Sequence, residues 1–154
     1  MIGVRLRDAL AALWALVLAM PVPPAQAADT ERGRALYEGR VAMSTVGASP
    51  MPAACAACHR PSGMGNFEGG LAVPPIAGPM LFEPLDRDTA RFFPASARWR
   101  VRPAYDEASL GRLLRSGESP DGVTLQPAMP RYRIDDADLA DLSAYLRTMS
   151  QGTP

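Results

Sequence analysis

The chain holds two cysteines and one histidine, and all three stand in one stretch, Cys55-Ala56-Ala57-Cys58-His59. Its soft ligands are therefore confined to a single turn, and whatever the chain folds around must be gripped there. Three readings compete for two thiols at this spacing. A disulfide or a dithiol redox pair suits an oxidising compartment, but a thioredoxin-like pair should follow a strand and open a helix. The preceding run, Val46 to Ala54, includes Pro50 and Pro52 and shows no strand-like alternation. A tetrahedral zinc site needs four ligands, and Cys and His together supply only three. The remaining reading uses all three residues. Two thiols so spaced add to the two vinyl groups of a haem, and a histidine directly after the second lies under the iron. One covalent haem c is expected, attached through Cys55 and Cys58, with His59 as an iron ligand. A lone histidine also excludes bis-histidine ligation.

The first residues do not belong to that unit. Arg5 and Arg7 precede an apolar run from Ala9 to Met20, then prolines, then Ala25-Gln26-Ala27. This is the pattern of a secretory signal peptide over residues 1–27, cleaved before Ala28. The run is too short for a bilayer-spanning helix, which needs about 20 apolar residues. Residues 28–154 are then expected to form one domain in the periplasm, with no membrane span after cleavage. The whole chain carries 16 basic and 16 acidic residues, and loss of Arg5, Arg7 and Asp8 leaves 14 and 15. Nothing in that balance suggests nucleic acid. All the basic residues are arginine, so any positive docking surface is built from planar, permanently charged guanidinium groups.

The sequence resembles the class I, mitochondrial-type cytochrome c family in four stretches spread over nearly the whole of residues 28–154. Gly33-Arg34-Ala35-Leu36-Tyr37 is similar to the family's first helix, where a glycine and an aromatic four residues on face the last helix. The haem-binding stretch comes next. Pro74-Pro75-Ile76-Ala77-Gly78 resembles the loop whose proline carbonyl holds the axial histidine. Met129-Pro130-Arg131-Tyr132, with Asp138-Leu139 and Tyr145-Leu146, resembles the methionine loop and closing helix. The resemblance implies an all-α cytochrome c fold of three to five short helices, with Pro74 accepting from His59 and with Leu142 and Tyr145 packed on Gly33 and Tyr37.

For the sixth iron position the chain after the leader offers Met43, Met51, Met64, Met80, Met129 and Met149. Met64 and Met51 lie too close in sequence to the haem motif to reach round the ring, and Met149 falls on the apolar stripe of a helix, where packing explains it. Of Met80 and Met129, the second is flanked by Pro127 and Pro130, which stiffen its loop, and stands just before a helix start, where the family places its ligand. Met129 is accordingly the expected ligand, although a buried methionine is otherwise adaptable core filling.

Helices are expected over Glu31 to Glu38 with Asp29 or Thr30 as N-cap, over Asp106 to Ser116 ended by Gly117, and from Asp135 onward. The last has Leu139, Leu142, Leu146 and Met149 at helical spacing, acidic residues in its first turn and Arg147 in its last. No strand pattern stands out, and the glycine-rich run Ser62 to Gly70 reads as a haem-adjacent loop. From Pro79 to Pro103 the resemblance weakens. There Phe82, Phe92, Phe93 and Trp99 alternate with Arg87, Arg91, Arg98, Arg100 and Arg102, a composition that suits the haem edge, its propionates, a docking surface or a local mini-core.

With both axial positions filled from the protein, the expected function is one-electron exchange through the haem edge, not enzymatic turnover. The partners are redox proteins: a donor such as a periplasmic dehydrogenase, and an acceptor oxidase or second cytochrome. Two alternatives remain. The chain could be a fixed cytochrome subunit of a dehydrogenase complex, or a haem enzyme or gas sensor with an open sixth position. The last lacks a spare histidine to serve as distal acid or base.

Overall fold

The structure, a computed structural model, describes residues 27–47, 54–68, 70–86 and 101–150. Apart from Ala27, the expected leader falls outside these residues, as do Met51, Arg87, Arg91, Phe92, Phe93, Arg98, Trp99 and Arg100. Five helices and one small hairpin are present among the described residues: α1 (Thr30–Glu38), α2 (Cys55–His59), β1 (Asn66–Glu68), β2 (Leu71–Val73), α3 (Gly78–Phe82), α4 (Glu107–Ser116) and α5 (Asp136–Thr148). No described helix is long and apolar enough to cross a membrane.

Each long helix begins where an aspartate satisfies the orphan amides of its first turn. Asp29 accepts from the N–H groups of Glu31 and Arg32, and Asp135 from that of Asp138. Asp106 and Ser109 form a reciprocal capping box at α4. Helices α1 and α4 stop at Gly39 and Gly117, both in the left-handed region, where a residue without Cβ is not strained.

The two terminal helices cross in close contact. A Cβ on Gly33 would lie 2.0 Å from the Asp141 carbonyl oxygen and 2.9 Å from the Tyr145 Cβ, so only glycine allows this approach. The Tyr37 and Tyr145 rings pack tilted, with centroids 5.5 Å apart. Arg32 pairs with Asp138 at 2.7 Å on the outer side of the crossing. Leu36, Leu139, Leu142 and Leu146 carry the core from this crossing into α4, whose Leu110, Leu113 and Leu114 complete it.

The all-α expectation holds, with one addition. Asn66 to Val73 is a two-stranded antiparallel hairpin, pairing Asn66 with Val73 and Glu68 with Leu71. Gly70, which leads into the second strand, has φ +82°. A Gly-Gly pair between short runs is a hairpin signal; strands this short carry too little alternation to reveal themselves otherwise.

Candidate functional site

Helix α2 is one and a half turns long, so Cys55 and Cys58, three apart, share a face, and His59 closes the helix with 7% of its surface exposed. The chain then turns sharply back through Arg60, at φ +64°. The Gly65 N–H donates to the His59 carbonyl at 3.0 Å, and those of Ile76 and Ala77 to the Gly63 carbonyl at 2.7 and 3.2 Å. A Cβ at Gly65 would sit 2.2 Å from the Val73 carbonyl oxygen and 2.8 Å from that of Pro74. This glycine therefore allows the segment after β2 to lie against the end of α2. From the first helix, the Tyr37 hydroxyl donates to the Arg60 carbonyl at 2.6 Å and ties the turn to the core.

The result is a fixed imidazole. His59 Nδ1 lies 2.9 Å from the Pro74 carbonyl oxygen. A carbonyl can only accept, so Nδ1 carries the proton and Nε2 keeps its lone pair. Burial lowers the histidine's pKa, and the Pro74 carbonyl opposes this only in part. The ring is therefore a neutral imidazole at neutral pH, the form that ligates a metal. Burial also pushes the Cys55 thiol up to about 12, so it remains protonated.

Cys55, Cys58, His59 and Pro74 border one cavity of about 400 Å³, whose lining also includes Met129, Arg102 and Tyr132. Most of the remaining wall is apolar, with Leu81, Leu110, Leu113, Leu114, Leu142 and Leu146 contributing. Among the described methionines only Met129 borders it. Met43 and Met80 are buried elsewhere, Met149 packs on Gly63, and Met64 is 37% exposed.

The polar groups in the lining are informative. Tyr132 is 3% exposed, and its hydroxyl has no hydrogen-bond partner among the described residues. Burial pushes its pKa above the ordinary tyrosine range. Arg102, 9% exposed, donates to the carbonyls of Leu81 at 3.3 Å, Pro103 at 3.0 Å and Met80. Its guanidinium lies 4.7 Å from the centre of the Tyr105 ring. A slot with two thiols, a neutral imidazole, a thioether, an orphaned hydroxyl and a buried cation suits a large, flat, apolar group with acidic substituents and a metal centre.

A family model for cytochrome c matches residues 30–150. The chain belongs to the cytochrome c family. No curated protein and no solved structure matches it. The match spans every helix and the hairpin described above, and it brings with it covalently bound haem c and a role in electron transfer. As a c-type cytochrome, the protein supplies one-electron iron chemistry when its haem is bound. The lining fits that group: Cys55, Cys58 and His59 fit the Cys-x-x-Cys-His motif, whose two thiols would attach it, and His59 offers Nε2.

Two residues of the lining have no signal of their own in the sequence. Tyr132 stands there only as part of the methionine motif, and Arg102 only as one arginine in a run. Each acquires its place when the chain returns to the cavity from a distant element.

Proposed function

We propose that this cytochrome is a periplasmic one-electron carrier whose single haem c is held through Cys55 and Cys58, with His59 and Met129 as axial ligands. The observation that carries the reading is the meeting in one cavity of a neutral imidazole, fixed by Pro74, and a single described thioether, that of Met129. Two protein ligands leave no iron position for a substrate, which restricts the chemistry to electron exchange. The apolar walls contributed by α4 and α5 exclude water and thereby favour the less charged, reduced state of the site. Donor and acceptor are redox proteins, with a periplasmic dehydrogenase on one side and an oxidase or another cytochrome on the other. Export rests on the leader pattern of residues 1–27.

Periplasmic expression with haem attachment, followed by visible spectroscopy of the wild type and Met129→Ala, tests the assignment. The oxidised wild type should show the weak long-wavelength sulfur-to-iron charge-transfer band, and the variant should lack it. The reduced wild type should not bind carbon monoxide rapidly, whereas the variant should. A wild type that lacks the band and binds carbon monoxide at once would instead have an open sixth position, and the sensor or enzyme reading would replace that of a carrier.

A further inference from the structure

The segment from Leu125 to Met129 passes over the cavity between the end of α4 and the start of α5. Its backbone is lightly tied: the Leu125 N–H donates to the Gly117 carbonyl at 2.8 Å, and the Met129 N–H to the Gln126 carbonyl at 3.2 Å. The side chain of Arg131 adds a second tie. One Nη donates to the Met129 carbonyl at 2.5 Å and the other to the Leu125 carbonyl at 2.8 Å, so one planar fork joins the two ends of the segment. Among the described residues no carboxylate pairs with it, whereas Arg32, Arg34, Arg40 and Arg115 all pair with acids.

The fork has a seat made for it. Its guanidinium lies on Gly117, where a Cβ would meet Arg131 Nε at 2.1 Å and Cζ at 2.2 Å. Gly117 is also the left-handed cap of α4, at φ +84°. The Arg131 backbone is pinned as well: its carbonyl accepts from the Val46 N–H at 2.7 Å, and the N–H of the adjacent Tyr132 donates to the Leu114 carbonyl at 2.8 Å. A rigid base, a planar two-pronged donor and a fitted seat make a clamp, not a solvated surface arginine.

We propose that Arg131 is a positioning residue that clamps the Met129 segment shut over the cavity, so that an external ligand reaches the iron only when the clamp opens. This rests on the reading of Met129 as the sixth ligand. The apparent affinity for an external ligand is scaled by the fraction of molecules with the segment open. Removing two charge-assisted hydrogen bonds should raise that fraction by about tenfold. Lysine does not substitute, since a single ammonium cannot reproduce the fork.

The test compares holoprotein of the wild type, Arg131→Gln, Arg131→Lys and Gly117→Ala. Three quantities are read: the sulfur-to-iron band, the affinity of the oxidised protein for imidazole, and hydrogen exchange at the Leu125 and Met129 amides. Arg131→Gln should bind imidazole about tenfold more tightly, with exchange accelerated at both amides and unchanged in α1 and α5. Gly117→Ala, which unseats the guanidinium, should behave alike, and the Arg131→Gln/Gly117→Ala pair should add little to either single change, as expected of residues acting through one contact. Unaltered exchange at both amides in Arg131→Gln, or an acceleration equally large in α1 and α5, overturns the clamp. A wild type without the charge-transfer band overturns the ligation reading alone, and exchange at the two amides then still decides the clamp. Should Arg131→Gln not fold, Arg131→Lys carries the same readouts, and the same outcomes support or overturn the clamp.

Discussion

One missing Cβ sets the distance between the two terminal helices. At Gly33 the backbone of α1 meets the backbone of α5 at Asp141, and the nearest atom to an added methyl is a carbonyl oxygen 2.0 Å away, which has no rotamer to escape into. Gly33→Ala must therefore part the helices, loosening the Tyr37 and Tyr145 rings and the Leu36 and Leu142 contacts behind them. The expected loss is about 3 kcal/mol, or roughly 10 °C in the thermal midpoint of the holoprotein. A midpoint within a degree or two of wild type would mean that the crossing is softer than its geometry implies. The two thiols and the imidazole were legible in the sequence from their spacing alone, and Gly33 through the family resemblance. Arg131 and Tyr132 sit within the same motif as Met129, yet the motif does not reveal what they do. Their surroundings depend on where Gly117, Leu125 and the cavity wall come together in space, and local pattern, which marks Gly117 only as a helix end, does not fix that.

At the scale of elements, legibility followed the caps. The three long helices begin where aspartates say they should, and α1 and α4 end at glycines, because capping is a contact within four residues that the sequence carries whole. Helix α3, five residues opened by Gly78-Pro79, and the β1–β2 hairpin have no periodicity to detect. Each exists because tertiary contacts hold it. The Gly78 N–H donates to the Met149 carbonyl beyond α5 at 2.9 Å, and Arg102 holds the carbonyls of Met80 and Leu81. The capping box of α4 yields a prediction with a defined pH dependence. Hydrogen bonds from the Ser109 side chain, and then from its backbone, hold the Asp106 carboxyl below its ordinary pKa. Its stabilisation is therefore complete above the unfolded value of about 3.9 and is lost as the pH falls through the folded one. Asp106→Ala should lower the melting temperature by a few degrees at pH 7, and the gap from wild type should narrow steadily once the pH drops below about 4. A gap independent of pH between about 7 and 2 would show that the cap acts through its shape and not its charge.

At the scale of the molecule, the packing of α2, α4 and α5 leaves a cavity of about 400 Å³ where a single domain would place the centre of its core. Unfilled apolar space destabilises a protein by about 24 cal/mol per Å³, so a cavity of that volume would cost on the order of 10 kcal/mol. Because part of its wall is open to solvent, that figure is an upper one, yet it is comparable with the whole stability of a domain, about 5–15 kcal/mol. The orphaned Tyr132 hydroxyl adds to the imbalance, since buried polar groups stabilise a fold only when partnered. Haem would thus be part of the core and not a passenger in it, filling the space that the apolar side chains around the cavity face. Cys55→Ser, Cys58→Ser protein produced without haem should show reduced far-ultraviolet ellipticity and melt without a sharp transition, because the leucines of α4 and α5 that border the cavity would have nothing to close on. A cooperative melt with native ellipticity would overturn this account, and would mean that the cavity walls collapse onto one another to build a core of their own.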